Sequence, residues 1–275
     1  MNRENNMENE KKPDKKNSKR LRKIAEGIFF AIILIVVWQI FYILFVDVLS
    51  VWKSYSVPSP AGVVKRFCEL TANGTLISAL GYSLLRGVVG FGIAIVIGVC
   101  LGFLIHHFSF LNHNLKPVIL GIQTLPSICW VPFAILWFGL NSTAILFVVV
   151  MGSAFGIALS VENAIATVPP LYIKAAKTMG AGRRDLYRKV ILPACVPAFI
   201  AGLKQGWSFA WRALMSGEVM SSAIGLGQTL IVGRDMADIN QVMVVMLVIV
   251  AVGIIIDKCL FTYFEKKVLK KRGLL

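Results

Sequence analysis

The chain has 275 residues, of which 57% are hydrophobic and only 16% charged, and its formal net charge is +15. A soluble domain is about 45–50% apolar and about 25% charged, so this composition excludes a soluble globular enzyme. The five cysteines are scattered singly, which argues against a disulfide framework or a zinc site.

Uncharged apolar runs predict an all-α, polytopic transmembrane bundle of about six spans, because about 20 helical residues cross a hydrocarbon core of about 30 Å. We expect the spans at 27–48, 78–105, 117–139, 142–161, 194–215 and 239–257, the last continuing as a helix to 264. Pro126 and Pro132 should kink the third span. In the second span, Ala94, Gly98 and Gly102 recur every four residues, which lets another helix approach closely.

The spans divide the chain into tails, a loop and a core domain. We assign a basic N-terminal tail to 1–26, a loop to 49–77, a core domain to 78–264 and a basic C-terminal tail to 265–275. Within the loop, a short surface helix is expected over 61–71. Residues 216–238 are too polar to cross a membrane and are expected to fold back into the mouth of the bundle.

Lysine and arginine are distributed unevenly between the predicted faces. Of the 29 such residues, 22 lie in the two tails and in the connections 106–116 and 162–193, and four lie on the opposite face. Cytoplasmic loops carry the excess of positive charge. Both termini are therefore predicted to be cytoplasmic, and the 49–77 loop extracytoplasmic. An even number of spans also requires the two termini to lie on the same side.

The connection 162–193 is predicted to hold two short helices. The first begins at Pro170, because proline suits the first helical turn, and ends at Gly180, because glycine readily adopts the left-handed cap conformation. The second covers 183–192 and is closed by Pro193. One interpretation of this segment is a basic surface helix bound to anionic headgroups.

A second interpretation rests on a motif. The loop resembles the EAA loop of ABC-importer permeases, and five residues stand where that motif has its alanines, its glycine and its Leu-Pro pair: Ala175, Ala176, Gly180, Leu192 and Pro193. Lys174 replaces the glutamate that names the motif. The resemblance implies that this loop is a coupling helix, which seats in a groove of a separate ATPase subunit.

The resemblance extends from about residue 57 to the C-terminus. Short segments in this order resemble the nitrate, sulfonate, taurine and bicarbonate branch of the family: Pro58-Ser59-Pro60, Ser83-Leu84-Leu85-Arg86, Leu125-Pro126, Trp130-x-Pro132, Leu136-Trp137-Phe138-Gly139, Gly202-Leu203-Lys204 and Gly225-Leu226-Gly227. The resemblance implies a type I (MetI-like) permease in the cell inner membrane, with five core helices around a translocation path. It also implies a homodimer or paired permeases, two ATPase subunits and an extracytoplasmic solute-binding protein.

No Gly-Lys-Ser or Gly-Lys-Thr occurs in the sequence, so the chain lacks a P-loop of its own. We therefore expect a transport subunit and not an enzyme, with ATP and Mg²⁺ bound by the partner ATPase and no cofactor held by this chain. His106, His107 and His113 are interpreted as interfacial residues and not as metal ligands.

Charges and prolines within the spans are candidate residues of a translocation path or gate. Five residues belong to this group: Lys204, Arg86, Pro126, Pro132 and Glu218. Lys204 lies about 16 Å of helix rise past Pro193, where an unpaired lysine costs about 2.5–3.5 kcal/mol. The alternatives are a carboxylate partner for Lys204, simple kinking for the prolines, and snorkelling to the interface for Arg86 and Arg212.

The predicted solute is a small anion such as a sulfonate, taurine, nitrate or bicarbonate, which the intramembrane cations would suit. An uncharged vitamin precursor is an alternative cargo. A secondary transporter driven by an ion gradient is a further alternative, but it often shows repeated halves with matching broken helices, which this sequence lacks. An intramembrane enzyme would need a nucleophile–base or metal constellation, and no adequate set is visible.

Overall fold

The computed structural model describes residues 14–53 and 55–271, and every regular element in these ranges is helical. The predicted all-α fold is confirmed. The chain divides into two units between Arg66 and Phe67. The predicted tails at 1–26 and 265–275 lie partly outside the described residues, and the predicted domain boundaries stay predictions.

The N-terminal unit is built on one long helix. Helix α1 covers Asp14–Tyr42 and continues as a π-helical turn over Ile43–Val48. The helix thus begins within the predicted tail, where lysine, arginine and glutamate are good helix formers. Its segment Ala25–Val48 is long and apolar enough to cross a membrane.

Aromatic side chains close the C-terminal end of this segment. The rings of Phe41, Phe45 and Trp52 lie with their centroids 4.6–5.7 Å apart. The Trp38 Nε1–H donates a hydrogen bond of 3.0 Å to the Pro58 carbonyl. Helix α2, Pro60–Ala72, follows, which confirms the short helix expected over 61–71.

Eight further α-helices follow in the described part of the chain. They are α3 Thr75–His107, α4 Ser109–Gln123, α5 Val131–Phe138, α6 Ser142–Ala166, α7 Pro170–Thr178, α8 Arg183–Val219, α9 Leu226–Asp235 and α10 Ile239–Lys270. Five single helices (the α1 segment, α3, α6, α8 and α10) are long and apolar enough to span, and a bent pair around α4 and α5 gives a sixth candidate. This agrees with the predicted number of about six spans.

Helix α6 lies at the centre of the second unit and packs against α3 and α8. The predicted small-residue face of α3 makes the first contact: a Cβ at Gly98 would stand 2.8 Å from the Ala154 carbonyl oxygen, and one at Gly102 would stand 2.6 Å from that of Ala158. Because any larger residue would push the helices apart, the prediction of close helix packing here is confirmed.

The third span differs from the prediction of a single kinked helix over 117–139. Helix α4 begins at Ser109, and the segment Ser127–Phe138 leaves it at an angle of 100°. Pro126 lies at the break, whereas Pro132 lies in the first turn of α5, where its missing N–H is not needed and no kink results. The connection expected at 106–116 is mostly helical: only Phe108 separates α3 from α4, which begins at Ser109.

The predicted stop at Pro193 is wrong as well. Helix α8 runs without interruption from Arg183 to Val219. Its residues Leu186–Ile191 form a π-helical turn just before the proline. This wider turn shifts the hydrogen-bond register, and it allows a residue without an N–H to follow within the helix.

Candidate coupling and translocation sites

Helix α7 and its C-terminal end form the exposed part of the predicted coupling loop. Lys174 and Ala175 are exposed, and Ala176 is half-buried. Apolar side chains are exposed beside them, with Met179 at 87% of its full exposure and Leu171 at 70%. Such an apolar, basic surface on a nine-residue helix is suited to contact with another protein.

Gly180 ends α7 in a left-handed conformation, with φ of +79°. The Ala181 N–H donates to the Ala176 carbonyl at 3.0 Å, and the Gly180 N–H donates to the Lys177 carbonyl at 3.0 Å. These two bonds make a Schellman motif, which satisfies the last carbonyls of the helix. The motif requires the positive φ, so the predicted role of Gly180 as the helix stop is confirmed.

The loop is joined to the bundle through the start of α8. Helix α7 contacts the π-helical turn of α8, whose Leu186 and Ile191 are buried. Leu192 and Pro193 follow directly and remain exposed. Helix α7 thus contacts the first turns of a helix of 37 residues that is long and apolar enough to span a membrane.

A buried ion pair joins three helices elsewhere in the core. Arg86 of α3 places its Nη1 atom 3.1 Å from Oε1 of Glu218 in α8, and the two side chains are 10% and 0% exposed. The hydroxyl of Ser83 donates to the same carboxylate at 2.7–2.8 Å and accepts the Leu226 N–H at 2.8 Å. The Gly227 N–H donates to Glu218 Oε2 at 3.0 Å.

Arg86 also donates two hydrogen bonds outside the carboxylate. Its Nη1 donates to the Ile224 carbonyl at 2.6 Å, and its Nε donates to the Ser142 hydroxyl at 3.2 Å. A buried charge is costly unless it is paired and hydrogen-bonded, and both members of this pair meet that condition. The sequence picked out Arg86 and Glu218 separately; it did not show that they meet, nor that Ser83 joins them.

Lys204 lies in a different place. Its Nζ atom is 3.3 Å from Asp257 Oδ2 of α10 and 3.3 Å from the Thr262 hydroxyl. The Lys204 and Asp257 side chains are 34% and 42% exposed. This geometry corresponds to the alternative of a carboxylate partner on a neighbouring helix.

A cavity of about 630 Å³ opens at the break in the third span. Pro126 lines it, but Pro132, Arg86, Lys204 and Glu218 do not. The predicted path residues therefore do not form one site: Arg86 and Glu218 pair with each other, and Lys204, Pro126 and Pro132 lie elsewhere. Among the described residues, no three His, Cys, Asp or Glu side chains are grouped so that they could hold a metal ion.

Comparisons with known proteins give one consistent result. Residues 94–270 match the family model described as "Binding-protein-dependent transport system inner membrane component". A putative ABC transporter permease protein of Methanocaldococcus jannaschii is 30% identical over 206 residues, which cover 74% of this chain and 77% of the relative. The putative aliphatic sulfonates transport permease protein SsuC of Bacillus subtilis is 26% identical, with 90% of this chain and 88% of the relative covered.

The nitrate import permease protein NrtB of Synechocystis is 25% identical, with 82% of each chain covered. The fold is similar to a chain in a structure of the MetNI methionine ABC transporter in inward-facing conformations. That similarity has a TM-score of 0.57 at 23% identity and covers 73% of this chain and 96% of the other.

Proposed function

This chain belongs to the family of binding-protein-dependent transport system inner membrane components and is an ABC importer permease of the MetI-like type, and we propose that it carries a small anion. We propose further that a separate ATPase drives it through the loop at 162–193. The cargo class includes sulfonates, taurine, nitrate and bicarbonate.

The coupling proposal rests on one observation: an exposed helix, α7, stands between the spanning helices α6 and α8 and contacts the start of α8. Lys174 and Lys177 add positive charge to its apolar surface. Closure of two ATPase subunits would move α7 as a rigid body and tilt the span attached to it. Such movements switch packed helices between two arrangements.

The proposed assembly contains partners that supply what this chain lacks. The sequence has no P-loop, so hydrolysis is assigned to the ATPase subunits. A solute-binding protein would deliver the cargo on the extracytoplasmic side, and a second permease copy would complete the path. The excess of Lys and Arg on one predicted face supports the proposal that both termini and α7 are cytoplasmic.

The anion proposal is supported by relatives and by charge. The B. subtilis and Synechocystis relatives are named for aliphatic sulfonates and nitrate, respectively. The core of this chain also retains cations within spanning helices, Arg86, Lys204 and Arg212 among them. Intramembrane cations are costly and are kept where they have a function or a partner.

Cysteine crosslinking in the assembled transporter tests this proposal. We expect Met179→Cys to crosslink to the ATPase subunit and Tyr55→Cys, exposed in the opposite loop, to react with a membrane-impermeant thiol reagent added to intact cells. The chain without an introduced cysteine gives the background. Labelling of Met179→Cys from outside, or no crosslink in a complex that contains the ATPase, would contradict the coupling proposal.

Uptake measurements test the cargo. Cells with the complete transporter should accumulate labelled taurine, ethanesulfonate, nitrate or bicarbonate, and cells without the ATPase should not. Uptake that persists without the ATPase would refute the ATP-driven mechanism.

A further inference from the structure

The cavity at the break of the third span has the size and the wall chemistry of a ligand site. Its volume of about 630 Å³ falls within the range of about 300–1,000 Å³ that is usual for small-molecule sites. Helices α4, α6 and α8 and the turn Ser127–Trp130 form its walls. Aromatic rings, including those of Trp130 and Phe155, make the apolar part of these walls, and no aspartate or glutamate is present in them.

Arg212 of α8 is the cation of this cavity. Its Nε donates to the Ser208 carbonyl one turn earlier at 3.2 Å, and its guanidinium carbon lies 5.1 Å from the centre of the Phe209 ring. Both contacts are local to α8. Arg212 is exposed, and these contacts leave its two terminal nitrogens without a protein partner among the described residues.

Three other cations of the helices that are long and apolar enough to span have a carboxylate partner. Arg86 pairs with Glu218, Lys116 with Glu162 and Lys204 with Asp257. Arg212 differs, since no carboxylate in the described part of the chain lies within ion-pair distance of it. An ionisable residue within a membrane span is by default a functional-site hypothesis, and we take the counter-charge of Arg212 to be a ligand.

Neutral donors accompany the cation. Gln123, at the end of α4, lines the same cavity, and its amide has no hydrogen-bond partner among the described residues. Two hydroxyls also line the cavity: that of Ser127, just past the break, lies 3.3 Å from that of Ser216 in α8. The Ser216 hydroxyl donates to the Arg212 carbonyl at 3.1 Å. The guanidinium fork and the Gln123 amide together match an oxyanion with several acceptor oxygens.

We propose that this cavity binds the transported oxyanion, with Arg212 as its charge partner and Gln123 as a second donor. This inference rests on the proposed function, because the oxyanion is taken to be the cargo. The aromatic walls would receive a short apolar chain attached to the oxyanion, as in an alkanesulfonate. The same donors could hold the headgroup of an anionic lipid, so the test separates these two sources.

The experiment measures the local potential of the cavity without use of the transport cycle. Ser216→Cys is introduced into the full chain, and the assembled transporter is placed in nanodiscs of neutral phosphatidylcholine. Its modification rates are measured with an anionic and a cationic methanethiosulfonate reagent. The ratio of these rates reports the electrostatic potential at the thiol, and the chain without the introduced cysteine gives the background.

We expect Ser216→Cys to react faster with the anionic reagent. Arg212→Gln should lower the anion-to-cation rate ratio about tenfold, as follows from a unit charge near the thiol in a hydrated site. Arg212→Lys should keep the ratio, and so should Arg234→Gln, which removes an exposed cation outside the cavity. Ser127→Cys is a second reporter. If Arg212→Gln leaves the anion-to-cation rate ratio unchanged at both Ser216→Cys and Ser127→Cys, Arg212 is not the charge partner of this cavity and the proposal is wrong.

Protection identifies the ligand. Nitrate or ethanesulfonate should slow the modification of Ser216→Cys, and Arg212→Gln should remove this protection. Protection by phosphatidylglycerol in the nanodisc, but by neither soluble anion, would overturn the assignment to cargo. The labelling needs neither ATP nor the coupling loop. A negative labelling result would therefore contradict the anion site but not the importer proposal. A negative ATPase crosslink would contradict the coupling proposal but not the anion site.

Discussion

Arg86 and Glu218, 132 positions apart in the sequence, meet across a distance of 3.1 Å between α3 and α8. The same carboxylate receives the N–H of Gly227 in α9 and the hydroxyl of Ser83. One buried acid thus ties three helices together. Glu218 therefore connects α3, α8 and α9, and its contribution to the stability of the core can be measured directly.

Removal of one member of the pair should destabilise the permease strongly. Arg86→Met leaves a buried carboxylate and Glu218→Gln leaves a buried guanidinium, and each should cost about 3–5 kcal/mol. The double substitution should lower the free energy of unfolding by less than the sum of the two single losses, because it leaves no unpaired charge. Thermal unfolding of the detergent-purified transporter measures the three variants. Strictly additive losses would show that the two charges do not interact.

Gly225→Ala should also disturb this pair. A Cβ at this position would stand 2.5 Å from the Glu218 carboxyl carbon, so the acid would have to move away from Ser83 and Arg86. We expect a clear drop in melting temperature. Gly92→Ala is the matched control: no atom lies within 4 Å of its added Cβ, and alanine is favoured over glycine in a helix by about 0.5–1 kcal/mol. Equal melting temperatures for the two variants would contradict the crowding at Gly225.

Gly180→Val should abolish uptake while membrane insertion continues. A β-branched residue is strained at φ of +79°, so the Schellman end of α7 would be lost and the ATPase contact displaced. Gly180→Asn should retain much of the uptake, since asparagine tolerates the left-handed conformation. Gly182→Val is the control, because Gly182 has φ of −69° and free space around it. Normal uptake by Gly180→Val would rule out a requirement for this helix end.

Lys204 and Asp257 should behave as an ordinary half-exposed ion pair. Solvent screens such pairs, and each is worth about 0–1 kcal/mol, so Asp257→Asn should change the melting temperature far less than Glu218→Gln. Lys204→Asp should be more harmful, because it faces the acid of α10, and Asp257→Lys in the same chain should restore the yield of folded protein. If the exchange restores folding but not uptake, Lys204 has a further role in the path.

Local patterns were sufficient for several features. Apolar runs predicted the helices and about six spans, because the cost of exposing polar backbone to lipid is a property of each segment by itself. The small residues of α3 predicted its close contact with α6. Pro170 and Gly180 predicted the ends of α7, because proline suits the first turn of a helix and glycine supplies the positive φ that its last turn requires.

The effect of each proline on its helix could not be predicted from the local sequence. Pro126, Pro132 and Pro193 look alike in the sequence, yet they lie at a break of 100°, in the first turn of a helix and inside a continuous helix, respectively. A proline removes one donor wherever it stands. Whether the helix breaks, begins or continues at a proline depends on the neighbouring turns, such as the π-helical turn before Pro193. It also depends on the helices packed against it.

Hydropathy and motifs by themselves determined that this chain is a helical membrane permease with a short helix between Pro170 and Gly180, since these are properties of contiguous segments. The tertiary structure alone decided which charges are neutralised: Arg86 by Glu218, Lys204 by Asp257, and Arg212 by no carboxylate among the described residues. Those pairings depend on how helices far apart in the chain are rotated and shifted along their axes relative to one another. Only the packing of the helices sets this arrangement.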